Sequence, residues 1–124
     1  MAVVTRTAAD ARPVNDVLTL EITMDVAVEA GQWVYVKSNG HGALADGSAA
    51  GTMPARGIAT MDCPAGRAVA LVVFGKFGGF SGMTPGANHF ASDTAGETDT
   101  VTGTVTQLVG YAVSATDLFV NPDL

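Results

Sequence analysis

The clearest regularity in the chain is alternation. Across residues 17–28 (VLTLEITMDVAV), Leu18, Leu20, Ile22, Met24 and Val26 fall on one side. Thr19, Glu21, Thr23 and Asp25 fall on the other. A period of two is the signature of a half-buried strand. Gly31 then turns the chain into a short apolar run, Trp33 to Val36, and Ala55 to Thr60 gives another. After Arg67 the residues up to Phe74 are apolar on both faces and bounded by Gly66 and Gly75, which predicts a fully buried strand. Residues 88–91, 104–114 and 117–120 predict three more, and Asn121-Pro122 ends the last because proline cannot continue a ladder. A short turn near residues 42–50 is the one helical candidate. Strands at short spacing with Gly and Pro between them predict an all-β fold, a small barrel or sandwich.

One pattern occurs twice. Ala30-Gly31-Gln32-Trp33-Val34-Tyr35-Val36 leads through small residues to Arg56-Gly57-Ile58-Ala59, and Pro85-Gly86-Ala87-Asn88-His89-Phe90-Ala91 leads to Val109-Gly110-Tyr111-Ala112. Gly31 and Gly57 stand 26 residues apart, Gly86 and Gly110 stand 24 apart. Each copy then runs into a further apolar stretch, so one β-unit is used twice, over about residues 30–75 and 85–121.

Residues 1–16 (MAVVTRTAADARPVND) lack an apolar period, and Pro13 bars a continuous helix. They read as an extended N-terminal arm preceding a single β-domain of residues 17–124, either frayed or ordered against a neighbouring subunit. Deletion of residues 1–12 is expected to spare the fold and weaken attachment to a partner. The loop 38–52 is long enough for a contact surface, and Phe77 and Phe80 interleave with glycines over residues 75–86. These two rings either plug the end of the barrel or anchor an interface. The candidate contact residues are therefore Val3, Val4, Arg6, Arg12, His41, Leu44, Phe77 and Phe80.

At 124 residues, 48% hydrophobic and 15% charged, the chain has the size and apolar content of one domain with a real core. A net charge of −6, with six scattered basic residues, disfavours nucleic acid and anionic membrane surfaces as partners. Cys63 is the sole cysteine, which excludes an intrachain disulfide and fits a reducing compartment. No signal peptide is visible, and the longest apolar run is too short to span a bilayer.

Candidate chemistry is sparse. His41 and His89 sit in no metal-ligand spacing, so neither metal nor cofactor is expected. Asp93-Thr94-Ala95-Gly96 departs from the Asp-Thr-Gly loop of aspartic proteases at its third residue, and the first copy offers no second aspartate. Residues 75–82 (GKFGGFSG) put the lysine at the wrong end for a phosphate-cradling loop. Ser81, Ser92 and Ser114 lack a nucleophile-elbow context. The expectation is a non-enzymatic protein. Trp33 and Tyr35 form the one pair suited to stacking on a sugar ring.

The run from Ala30-Gly31 through Arg56-Gly57-Ile58-Ala59, Pro64-Ala65-Gly66-Arg67, Val69 to Gly75, Thr84-Pro85-Gly86, Val109-Gly110-Tyr111-Ala112 and Leu118-Phe119-Val120 resembles small head decoration, or cement, proteins of tailed bacteriophages. The resemblance covers about residues 17–122 and rests on glycines and β-patterning, which recur in phage tail domains. It implies a virion protein made in the host cytoplasm that binds the major capsid protein on the head exterior, often as a homotrimer, and reinforces the lattice. The alternative is a tail or baseplate module, with glycan binding on Trp33 and Tyr35.

Overall fold

A computed structural model describes residues 3–122, and for Arg12, Val14, Asn15 and Asp16 it describes the backbone alone. The strands are β1 (Thr5–Arg6), β2 (Arg12–Thr23), β3 (Trp33–Val36), β4 (Gly42–Leu44), β5 (Gly57–Ala59) and β6 (Ala68–Gly78). They continue as β7 (Phe80–Ser81), β8 (Asn88–Ala91), β9 (Thr98–Asp99), β10 (Leu108–Ala112) and β11 (Asp117–Val120). A single 3-10 turn, Ala50–Thr52, is the helical content among the described residues. The fold is all-β: an antiparallel sheet curls into a half-barrel in the order β4-β3-β5-β6-β11-β10-β8-β9.

That order contains the repeat. In the first unit β3 sits between β4 and β5, and β5 leads to β6. In the second β8 sits between β9 and β10, and β10 leads to β11. The two units join where β11 pairs with the C-terminal half of β6. Gly31 and Gly86, the first glycine of each copy, precede β3 and β8 with φ of +87° and +85°, a conformation that L side chains resist. The second glycines answer a different need. A Cβ on Gly57 would lie 2.9 Å from the Val72 carbonyl oxygen, and one on Gly110 would run into the Phe119 carbonyl. Each second glycine lets the next strand approach closely.

The expected N-terminal arm is extended, but it is docked. Val4 and Ala11 are buried in the main core, and β1 pairs with β7. The boundary expected at residue 17 falls inside β2, which begins at Arg12. Pro13 bars a helix yet fits here, because β2 pairs on one side only, with β6, and an edge strand tolerates a missing N–H. Deleting residues 1–12 would therefore remove core side chains, and the expectation that the fold survives it is corrected. The glycine-rich segment expected as a loop also carries strand: β6 runs on through Gly75 to Gly78, and β7 follows.

Two apolar clusters fill the molecule. The larger lies inside the curl and includes Trp33, Ile58, Val72, Phe77, Val109, Leu118 and Val120. The smaller lies on the other face of the first unit, where Ile22, Met24, Val28 and Cys63 cover Val34, Val69 and Leu71. Adjacent residues serve opposite clusters, Trp33 against Val34 and Val72 against Leu71, which explains why this part of β6 is apolar on both faces. The open side of the half-barrel is bridged by Trp33 N–H to the Gly96 carbonyl (2.8 Å), Gly96 N–H to Ala45 (2.7 Å) and Gly47 N–H to Ser92 (2.8 Å). The Trp33 indole N–H also donates to Thr98 Oγ1 at 2.7 Å.

Candidate functional site: a bare apolar face beside an open strand edge

Where the covering segment ends, the outer face of the sheet is apolar and no described residue covers it. Phe119 lies between two core residues, Leu118 and Val120, so strand alternation turns its ring outward. Its ring meets Phe74 edge-on at 5.0 Å and stacks on Tyr111 at 5.4 Å. Phe74 and Tyr111 are 45% and 43% exposed. Leu18 pairs in register with Phe74 and is 64% exposed. Next to it Leu20, Val36, Val73 and Pro122 line a shallow groove of about 570 Å³, with Arg56 and Asn121 at its margin. A continuous strip thus runs from Val36 and Leu20 through Phe74 and Phe119 to Tyr111.

Beside the strip lies the free edge of β2. Among the described residues β6 is the only strand paired with this twelve-residue strand. Irregular register around Leu18 breaks its flatness, a common way of restraining an exposed edge. Arg56 borders the groove, and Lys76 pairs in register with Phe119. Neither forms an ion pair among the described residues, so the margin carries free positive charge on an acidic protein.

The contact residues expected from sequence do not converge here. Val3 is exposed and bridges to Asp99, whereas Val4 is buried. Arg6 holds the N-terminal segment in place: it pairs with Glu97 at 3.0 Å and Glu29 at 3.1 Å and donates to the Ala30 carbonyl at 2.8 Å. The Arg12 side chain lies outside the described residues. Leu44 packs against the smaller core cluster. Phe77 and Phe80 are buried with their rings 6.2 Å apart, so as surface anchors they are corrected to core. Trp33, half of the sugar-stacking pair, is fully buried, and Tyr35 packs against the main core.

His41 belongs to a polar clamp. Asp25 accepts from Lys37 Nζ at 2.7 Å and Asn39 Nδ2 at 3.1 Å, and its other oxygen lies 2.7 Å from His41 Nδ1. These hydrogen bonds, that of Lys37 foremost, hold the Asp25 carboxyl well below the usual carboxylate range. The clamp ties the turn between β3 and β4 to the chain just after β2. Its groups are all engaged with one another, and no cluster of three or more His, Cys, Asp or Glu suited to a metal occurs among the described residues.

Sequence reasoning missed Phe74, Tyr111 and Phe119. The signal was present: Val72-Val73-Phe74 and Leu118-Phe119-Val120 are apolar on both faces, and the sequence predicts no amphipathic helix to cover the second one. Compared with known proteins, the chain matches no family model and no curated sequence.

Proposed function

We propose that this is a non-enzymatic structural protein that docks on a larger protein assembly through the Leu20–Tyr111 strip and the adjoining edge of β2. The particular assembly we propose is a bacteriophage head, with the chain as a decoration protein bound to the major capsid protein on the shell exterior and self-associating there. The observation that carries the docking reading is the aromatic strip itself, beside a strand whose outer edge has no partner strand among the described residues. Contiguous apolar surface rimmed by polar residues marks interaction sites, and an open edge invites strand addition. Arg56 and Lys76 at its margin favour a partner surface with an apolar centre and an acidic rim. The capsid identity rests on the resemblance in glycine and strand pattern. On a repeating lattice, weak single contacts act together and raise avidity about 10²–10⁴-fold.

The test is copy number by quantitative mass spectrometry of purified virions, joined to co-sedimentation of the purified chain with capsids. A ratio near one per major capsid protein, with Tyr111→Ser abolishing co-sedimentation, is expected. A ratio of a few per hundred would move the chain to the tail or a vertex. Absence from the particle would overturn the virion reading.

A further inference from the structure

Asn39 is the only asparagine in this chain that glycine follows. With Gly40 it lies in the exposed turn between β3 and β4, and it belongs to the Asp25 clamp. Its side chain is folded back along the chain, because the His41 backbone N–H donates to Asn39 Oδ1 at 3.0 Å. A side chain that reaches the N–H two residues on lays its Cγ over the intervening peptide, beside the Gly40 nitrogen. The same hydrogen bond draws electrons from the amide carbonyl and makes Cγ more electrophilic. Gly40 has φ of +84°, and a Cβ on it would meet nothing within 4 Å, so the space around it is open. One turn hydrogen bond, to the Lys37 carbonyl at 2.9 Å, engages its N–H.

We propose that Asn39 is a site of spontaneous deamidation whose product opens the clamp and loosens the cover over the first unit. Hydroxide takes the Gly40 amide proton, and the Gly40 nitrogen forms a bond to Asn39 Cγ. The bond from Cγ to Nδ2 breaks, the amide nitrogen leaves as ammonia with a proton from water, and a succinimide ring remains. Water then opens one of the two ring C–N bonds, giving aspartate or isoaspartate at position 39. Asn121 cannot follow this route, because Pro122 has no N–H to lose. Asn15 and Asn88 are followed by Asp16 and His89, whose side chains hinder the attacking nitrogen.

The product puts a carboxylate where Asn39 had donated to Asp25 at 3.1 Å. Asp25 stays ionised at any pH at which the reaction runs, since its hydrogen bonds, that of Lys37 foremost, hold its pKa low. Two like charges then face each other across the clamp. The Asp25 N–H donates to the Gly42 carbonyl at 2.9 Å and the Lys37 N–H to the His41 carbonyl at 2.8 Å. The first of these bonds ties the covering segment to β4, so opening the clamp loosens the segment that hides Val34 and Leu71. The proposal is independent of capsid docking, since no clamp residue lines the groove beside the strip.

The experiment holds the purified full chain at mildly alkaline pH and follows each asparagine by peptide mass spectrometry. Asn39 is expected to gain one mass unit well before Asn15 or Asn88, as a mixture of aspartate and isoaspartate. Gly40→Ala should slow the gain severalfold, because a methyl group hinders the nitrogen. Should that variant fail to fold, Asn39→Gln serves, since its longer side chain closes its ring far more slowly. The converted chain, separated by its added negative charge, should exchange the Asp25 and Lys37 amides faster than the intact chain. Asn39→Asp should reproduce that change and leave the Trp33 amide, bonded to Gly96, as protected as before. The proposal is overturned if Asn39 stays intact in the folded chain, if the slowing variant converts as fast, or if the Asp25 and Lys37 amides exchange alike before and after conversion.

Discussion

The two β-units share a strand order and a pair of glycines, yet they treat their outer faces in opposite ways. In the first unit residues 22–28 and Cys63 cover the outer face, and Val34, Val69 and Leu71 disappear into a second core cluster. In the second unit nothing among the described residues covers Tyr111 and Phe119, and the uncovered area extends onto Phe74 and Leu18. The difference shows which part of a repeat is architecture and which is free to change. Strand order and close-packed glycines are kept, because the backbone geometry depends on them. The cover over the outer face is a separate segment, and its presence in one copy makes a core while its absence in the other makes a surface.

The sharpest way to break this contrast is to make equivalent lesions on the two faces. Trp33→Ala removes the indole that joins the units through Thr98 and fills the centre of the curl, so a loss of about 3–5 kcal/mol is expected in denaturant unfolding. Leu71→Ala, on the covered outer face, should cost about 2–5 kcal/mol. Tyr111→Ser, on the bare face, should change stability by less than about 1 kcal/mol while abolishing attachment to the partner. If Tyr111→Ser were as destabilising as Leu71→Ala, the two faces would not differ in kind.

The paired glycines sharpen the comparison at smaller cost. Gly86→Ala meets open space, so its penalty is that of the positive φ alone, about 1–2 kcal/mol. Gly31→Ala carries the same backbone penalty and must also displace the Arg6 side chain, which would meet the new Cβ. It should therefore be the more destabilising of the two and should loosen the ion pairs of Arg6 with Glu29 and Glu97. Equal midpoints for the two variants would mean that the Arg6 contacts add nothing to the first unit.

Much of this architecture is legible in the residues. Short runs set off by Gly and Pro located β3, β8 and β11 with their observed ends, and the glycine spacing revealed the repeat before any strand pairing was visible. The short partners β1, β4, β7 and β9 are two or three residues long, too short to show a period, and they exist only because a longer strand lies beside them. The N-terminal segment has no apolar rhythm because it contributes isolated side chains, Val4 and Ala11, rather than a face. Phe77 and Phe80 left two readings open, a core plug or interface anchors, and their burial favours the plug. Flanking glycines suggested a loop, whereas here Gly75 lets a strand continue at φ +131° and carries both rings into the core. The interaction face was hardest to see, since an outward Phe119 and an inward Leu118 look alike until the partner strands are known.

Acid titration offers the finest comparison, because each unit has one group whose pKa is depressed in the fold, each in its own window. His89, in the second unit, has its folded pKa depressed by burial, so the unfolded chain takes up the proton first. Its contribution to stability is complete above pH 6.5 and declines as the pH falls below it, by at most about 1.4 kcal/mol per pH unit, the limit for one proton. Asp25, in the clamp over the first unit, also has a depressed pKa, but from an ordinary value of 3.8. Its contribution is present above that pH and is lost as the pH falls further. Melting midpoints measured from neutral to strongly acidic pH should thus fall in two stages. His89→Phe should flatten the first stage alone, and Asp25→Asn should flatten the second while slightly lowering the midpoint at neutral pH. The Asp25 effect is the smaller, because Lys37 and His41 are partly solvated and exposed pairs hold weakly against water and salt. If His89→Phe left the first stage intact, His89 would be protonated as readily inside the fold as outside it, and burial would not be what separates the two stages.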